Sequence, residues 1–389
     1  MLDLPKKLQG KLSKRKDENA LRSLPVSSNL IDFFSNDYLG LSKNNRVFTN
    51  AKIILEESNS IANGASGSRL LSGNHKLYSD LENFLADSYN AESALVFNSG
   101  YDANLGFFSS VLQRGDVVFY DEFIHASIRE GLKLGHAKAY KFKHNDLADL
   151  GRQYEKIQQK NPNSEIYIVT ESVFSMDGDS PDLKAFANFS SQNSCRLVID
   201  EAHATGCLGT NGNGLVQELG LEQKVFARIL TFGKALGCHG AAILGKKGLI
   251  VYLINFARSF IYSTGLPPHS IATILAAYNF LLTSDGAANR GKLELVINQF
   301  NKAILSNKLD RFFVPSKSAI HCCIVPGNEK VRAISNELQK SGFDVRPILS
   351  PTVAQGKERL RFCLHSYNTE QELDDILKLL GTFMNSFEA

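Results

Sequence analysis

The sequence predicts an α/β fold, with a mostly parallel central sheet in a large domain and a smaller α+β domain towards the C-terminus. Three observations lead there. Short apolar runs recur along the chain, and each closes on a cluster of polar residues. Segments of helical period lie between those runs. Beyond a Ser-Asp-Gly-Ala-Ala-Asn-Arg-Gly stretch at 284–291 the pattern changes to strand, helix, strand, strand and helix. Alternating strands and helices argue for a doubly wound parallel sheet, whose ligands sit outside the carboxyl ends of its strands. The expected division is an N-terminal arm over 1–45, a large domain over 46–284 and a small domain over 285–389.

In order, residues 1 to about 24 read as a mobile, amphipathic helical arm. Residues 31–41 mix apolar anchors with Asn36 and Asp37 before Gly40, as a loop pinned onto a core does. The Gly- and Ser-rich stretch 63–74 surrounds Arg69. It is either a cradle of backbone N–H groups for an anion or a plain connector. Over 78–89 a helical period puts Leu81, Phe84 and Leu85 on one face. Residues 94–97 form a strand, and Ser99, Gly100 and Tyr101 open the helix after it. Free N–H groups and the positive end of the helix dipole converge at such a point, which suits a phosphate. No Gly-Lys-Ser/Thr follows, so it is not a Walker loop.

Further strands are expected at 117–120, ending at Asp121 with His125 beyond, at 166–170 before Glu171 to Gly178, and at 196–199 before Asp200 and His203. The run from Ala227 stops at Gly233-Lys234, with Gly237 close behind. A lysine in apolar company loses solvation, which frees its neutral amine to form a Schiff base. In the last segment the expected elements are a strand at 319–325, a helix at 329–341, strands at 344–349 and 360–365, and a C-terminal helix.

Composition bounds the function. At 389 residues the chain can bury a large core, and 43% hydrophobic with 21% charged residues is that of an ordinary globular protein. The net charge of +3 comes from scattered basic residues and gives no argument for nucleic acid. No run approaches the roughly 18 apolar residues of a membrane span. The six cysteines have no metal-ligand spacing and the N-terminus has no signal-peptide core, so reduced thiols in a cytoplasmic protein are expected.

These residues meet the requirements of pyridoxal phosphate. Lys234 answers its aldehyde. Asp200, after a buried strand, can keep the ring nitrogen protonated. His203 can reach the ring hydroxyl, and His125 can stack on the ring. Ser99, Gly100, Tyr101, Thr231 and Ser263-Thr264 offer N–H groups and hydroxyls to the phosphate.

The chain resembles the α-oxoamine synthases, pyridoxal-phosphate enzymes of the aspartate-aminotransferase-like fold (fold type I), from about residue 31 to the C-terminus. The resemblance rests on Ser35-Asn-Asp-Tyr-Leu-Gly-Leu41, Ser66-Gly-Ser-Arg-Leu-Leu-Ser-Gly-Asn74, Ser99-Gly-Tyr101, the stretch from Asp121 to Ser127, Asp200-Glu-Ala-His203 and Thr231-Phe-Gly-Lys-Ala-Leu-Gly237. The form of the second of these leans towards the biotin-pathway branch. The resemblance implies decarboxylating condensation of an amino acid, alanine, with an acyl thioester, pimeloyl-CoA or a pimeloyl carrier protein. It implies Lys234 as Schiff-base lysine and base, Asp200 and His203 as ring partners, His125 as the stacking residue and Ser175 beside the ring. Asn36 and Arg361 then meet the substrate carboxylate, Arg22 the far end of the acyl chain, and Thr264 the phosphate of a neighbouring subunit, hence a homodimer with a shared site. Three departures bear on the acyl preference: Tyr78 where relatives tend to place a histidine, with His75 near it; Cys238-His239 after the lysine motif; and Asn368 in the C-terminal motif. Other branches of the family, an aminotransferase and a non-catalytic cofactor-binding protein stay open.

Overall fold

The computed structural model describes residues 4–22, 24, 29–160 and 163–386. Residues 1–3, 23 and 25–28 of the expected arm lie outside them. The chain forms two compact units: Asn36–Ser175 with Asp179–Leu293, and Met1–Ser35 with Met176–Gly178 and Glu294–Ala389.

In chain order the elements that matter below are helix α1 (Lys6–Asp17), strand β1 (Ile31–Asp32), α2 (Asn45–Glu57), α3 (Lys76–Ser88), β2 (Ser93–Phe97), α4 (Gly100–Ser110), β3 (Val117–Asp121), α5 (Ala126–Leu134) and β4 (Lys138–Phe142). Then follow α6 (Leu147–Gln158), β5 (Ile166–Glu171), α7 (Leu183–Gln192), β6 (Arg196–Asp200), β7 (Ala227–Thr231) and β8 (Ala241–Gly245). The last strands are β9 (Ile320–Ile324), β10 (Phe343–Asp344), β11 (Arg346–Ile348) and β12 (Arg359–Cys363).

The larger unit is built on a seven-stranded sheet in the order β2-β8-β7-β6-β5-β3-β4. Strands β7, β6, β5, β3 and β4 are parallel, while β8 runs antiparallel to both β7 and β2. The sequence reading has no strand at β4 or β8. At β4 the reason is exposure, since Lys138, Ala139 and Lys141 face solvent and leave no apolar run. Successive side chains of the inner strands point to opposite faces. Val118, Val169 and Val198 pack with α4 and α5 residues such as Phe107 and Ile128. Phe119, Ile168, Leu197 and Ile199 pack on the other face with Leu150, Leu183 and Phe186 from α6 and α7. Burial on both faces explains why these strands read as continuous apolar runs. Their carboxyl ends carry Asp121, Glu171, Asp200 and Thr231, and Glu171 stands opposite Asp200 in the β5–β6 register.

Beneath Asp200 the next residue, Glu201, is fully buried against Arg228 of β7. The guanidinium also donates to the carbonyls of Tyr89 (3.1 Å) and Asn213 (2.8 Å). Gly214, at φ +83°, is required there, because a Cβ would lie 2.6 Å from the Glu201 carboxylate.

The smaller unit holds an antiparallel sheet in the order β11-β12-β9 and a parallel β1–β10 pair. Helices over Asn328–Lys340 and Glu370–Ser386 complete it. The expected strand over 344–349 divides between β10 and β11. Helix α1 is shorter than the expected arm, and none of its residues is buried: Leu8 and Leu12, one turn apart, are both exposed. The stretch 284–291 is not a loop: it forms the first two turns of a helix over Ser284–Ser306. Ser, Asp and Gly signal helix starts as well as turns. Here the Thr283 hydroxyl accepts the Gly286 N–H at 3.2 Å, as a cap does. The division between the two units passes within this helix. Among the described residues, no helix is long and apolar enough to cross a membrane.

Candidate active site

At the carboxyl ends of β5, β6 and β7 a cavity of about 170 Å³ is lined by Gly100, Tyr101, Asn104, His125, Ser127, Glu171, Asp200, Ala202, His203, Thr231 and Lys234. The sequence-predicted Gly100, Tyr101, His125, Asp200, His203, Thr231 and Lys234 meet there. Ser99, Ser175, Asn36 and Thr264 are in the same unit but do not line the cavity, while Arg22 and Arg361 belong to the other unit.

Lys234 sits on the turn between β7 and β8. Gly237 closes that turn at φ +63°, where a Cβ would lie 2.1 Å from the Ser42 nitrogen. The lysine's surroundings differ from the apolar company expected: its Nζ lies 2.8 Å from His203 Nε2. His203 Nδ1 is 2.7 Å from the Tyr38 hydroxyl, which donates to Asn36 Oδ1 at 3.1 Å. One donation order serves this chain throughout. The lysine N–H points at Nε2, the Nδ1–H at the tyrosine oxygen and the tyrosine O–H at the asparagine.

Asp200 is pinned at both oxygens. Oδ1 accepts the Ala202 N–H (2.9 Å), and Oδ2 accepts from Asn104 Nδ2 (3.0 Å). Asn104, buried within α4, also donates to the Ser127 hydroxyl (3.0 Å), which in turn lies 2.7 Å from His125 Nδ1. With Nδ1 taken as an acceptor of the Ser127 hydroxyl and N–H, the His125 ring proton sits on Nε2. Burial lowers the pKa of His125, against the pull of Asp200 and with the push of Lys234. His125 caps α5, and its own N–H is held by the Glu171 carboxylate.

Glu171 is the second carboxylate that lines the cavity, beside Asp200. Burial, and then Asp200 beside it, raise its pKa well above the usual carboxylate range, while Lys234 pulls it down. Asn104, Ser127, Glu171 and Tyr38 were not singled out from the sequence. For Glu171 a signal existed, because it ends β5 as Asp200 ends β6. For Asn104 the hint was a polar residue on an otherwise apolar helix face, beside Ala103 and Phe107. Ser127 and Tyr38 lie within stretches that carry the resemblance, but their partners Asn104 and His203 stand 23 and 165 residues away.

At the α4 N-terminus Ser99 caps the helix, its hydroxyl accepting the Asp102 N–H at 3.1 Å. Gly100 leaves an open cradle beside Thr231: a Cβ would stand 3.4 Å from Thr231 Oγ1. In the Gly- and Ser-rich stretch the Arg69 side chain is engaged within the protein. Its guanidinium forks onto the Glu82 carboxylate, lies 3.8 Å over the Tyr78 ring and donates to the Val96 carbonyl. Ser68 bridges to Thr264, so this loop is tied to the exposed segment that carries Thr264. Tyr78 is occupied as well, accepting the Leu266 N–H at 2.6 Å. The Cys238 thiol faces the carbonyls of Leu236 and Thr273, and burial pushes its pKa to about 12. His239 is exposed. In the smaller unit Asn368 accepts the His365 N–H (2.9 Å), Arg22 donates to the Thr352 hydroxyl (3.3 Å), and Arg361 stands on β12 opposite Cys322 and Arg346.

The class I and II aminotransferase family matches residues 28–380. The chain is 39% identical over 395 residues to 8-amino-7-oxononanoate synthase of Emericella nidulans, covering 98% of this chain and 96% of that protein. It is 34% identical over 398 residues to 8-amino-7-oxononanoate synthase of Saccharophagus degradans, covering 98% of each. Among solved structures, a variant serine palmitoyltransferase from S. paucimobilis with a bound PLP–myriocin aldimine matches with a TM-score of 0.86 at 25% identity, over 98% of this chain and 97% of that one. An 8-amino-7-oxononanoate synthase from Francisella tularensis matches with a TM-score of 0.77 at 28% identity, over 93% of this chain and 100% of that one. The strand-end cavity with its lysine, the sheet that builds it and these whole-length likenesses agree, and the chain belongs to the class I and II aminotransferase family.

Proposed function

We propose that this chain is a pyridoxal-phosphate-dependent acyltransferase that condenses L-alanine with a pimeloyl thioester, giving 8-amino-7-oxononanoate, carbon dioxide and the free thiol, as in biotin biosynthesis. The observation that carries the reading is the gathering of Lys234, His203 and a doubly pinned Asp200 in one cavity beside the α4 N-terminus. Its relatives along the whole length support the same activity.

The residues present fit pyridoxal phosphate in their donor set: a lysine amine, a carboxylate, an imidazole and an uncrowded helix N-terminus at Gly100. When bound, the cofactor supplies an aldehyde and an electron-withdrawing pyridine ring. Lys234 would hold it covalently and would be the base for the alanine Cα proton. Asp200, fixed by Asn104 and Ala202, would keep a proton on the ring nitrogen. His203 would hydrogen-bond the ring hydroxyl, His125 would stack on the ring and Ser175 would stand beside it. Ser99, Gly100, Tyr101 and Thr231 would hold the phosphate. Asn36 and Arg361 bind the substrate carboxylate, the latter as a two-pronged donor, and Arg22 meets the distal carboxylate of the acyl chain. Thr264, exposed in its own chain, serves the phosphate in a second copy, so the active form is a homodimer in the cytoplasm. In the overall balance the alanine loses its carboxylate as carbon dioxide, and the Cα that gives up its proton before the new bond forms takes a proton back once the carboxylate has left. A Cα–C bond forms to the acyl carbon, and its C–S bond breaks to release the thiol.

The test is turnover with alanine and acetyl-, succinyl-, pimeloyl- and palmitoyl-CoA, read as free thiol and product mass. Pimeloyl is expected to be fastest. A serine palmitoyltransferase-like activity is the second reading, favoured by the TM-score of 0.86 to that enzyme. A wide lead for the palmitoyl thioester would establish it instead. Absence of thiol release with every donor would leave an aminotransferase or a non-catalytic binder.

Asp200→Asn is expected to lower turnover about 10²- to 10³-fold, the usual effect of losing one preorganised electrostatic partner. An amide places an NH₂ against either Asn104 Nδ2 or the Ala202 N–H, and it cannot hold the ring proton. Unchanged turnover in a folded mutant would make Asp200 a purely structural carboxylate.

A further inference from the structure

His144 stands just after β4, outside the residues that line the cavity, yet it joins two of the loops around it. Its Nδ1 lies 2.9 Å from Asp121 Oδ1, and its Nε2 lies 2.8 Å from Asp179 Oδ2. The ring stacks on Phe123 at 4.4 Å between centroids and meets the Phe174 ring edge-on at 4.5 Å. It is thus held between one aromatic residue from each loop. We propose that His144 is a positioning residue for the cofactor seat: by bridging Asp121 and Asp179 it fixes the loop that carries His125 relative to the loop that carries Ser175. The proposal rests on the pyridoxal-phosphate reading above.

Both loops take their course from the bridged carboxylates. Asp121 ends β3, is fully buried, and accepts the N–H groups of Phe123 (2.8 Å) and Asn145 (2.7 Å). The chain therefore leaves β3 towards His125 along a path set at Asp121. On the other side, the Asp179 carbonyl accepts the Phe174 N–H at 3.0 Å and closes the turn around Ser175. Only the doubly protonated imidazole carries N–H groups on both nitrogens. Burial works against that charge, but the two carboxylates outweigh it and raise the pKa of His144 to about 10. Asp179 also accepts from Asn145 Nδ2 (2.8 Å), so it keeps a partner if His144 is lost. Loss of the bridge should therefore loosen the two loops while the fold survives.

The test compares wild type, His144→Gln and Asp179→Asn, with pyridoxal phosphate as the probe in equilibrium titrations read by absorbance, and with melting of the cofactor-free proteins. Glutamine has one donor end and would turn its carbonyl oxygen towards a carboxylate. For His144→Gln a cooperative melt is expected, with Kd for pyridoxal phosphate raised on the order of 10- to 100-fold, the scale on which small misplacements act. For Asp179→Asn a weakening in the same direction is expected. A His144→Gln protein that melts earlier but keeps the wild-type Kd and absorption maximum would overturn the proposal. If His144→Gln fails to fold, Asp179→Asn decides, and an unchanged Kd there overturns it equally. Wild type that takes up no pyridoxal phosphate would overturn the functional reading along with it, whereas wild type that binds while the variants match it overturns the positioning role alone.

Discussion

Lys234→Ala is expected to abolish turnover and to leave the protein unable to hold a yellow, covalently bound cofactor. Two functions pass through one amine. General-base work alone contributes about 10²- to 10⁴-fold, and covalent attachment is lost with it, so the rate should fall by at least the upper end of that range. The fold should survive, because the side chain projects into the cavity and makes no part of the packed core. What remains behind is His203 Nε2 without its donor at 2.8 Å. Borohydride treatment followed by mass analysis should label wild type at Lys234 and leave the variant unlabelled. A variant that turns over at close to the wild-type rate would remove Lys234 from the chemistry.

The second large effect is on stability. Arg228→Ala should cost about 3–5 kcal/mol, the scale for breaking a buried ion pair from one side. Arg228 is 3% exposed and Glu201 0%. Removing the guanidinium strands the Glu201 carboxylate and deprives the Tyr89 and Asn213 carbonyls of their donor. Glu201 would keep only the Val216 N–H, at 3.1 Å. The pair supports the site as well, since Glu201 follows Asp200 directly. Denaturant unfolding of the cofactor-free protein measures the cost. The Arg228→Ala, Glu201→Ala double variant should be little worse than Arg228→Ala, because no charge is then left buried alone. Full additivity would show that the two residues do not act as a pair.

The sequence by itself determined the α/β class, the strands whose ends hold Asp121, Glu171, Asp200 and Thr231, and the lysine that answers them. Strands buried on both faces announce themselves as apolar runs, and the polar residues that end them stand out by contrast. It also carried the family, because glycines such as Gly237 are fixed by backbone geometry that no other residue adopts at low cost. Tertiary structure alone decided the rest. Strand β4 has solvent-facing lysines and is a strand because β3 pairs with it. The stretch 284–291 contains turn residues and is helical because Thr283 caps it. The surroundings of Lys234 were read as apolar, but the chain brings His203, Tyr38 and Asn36 to it from positions far apart in sequence. Arg69 was read as belonging to a possible anion cradle, and its charge is spent on Glu82. The bridge from His144 to Asp121 and Asp179 likewise has no local signature. Hydrogen bonds between distant residues depend on where the folded chain puts them, and neither period nor propensity records that.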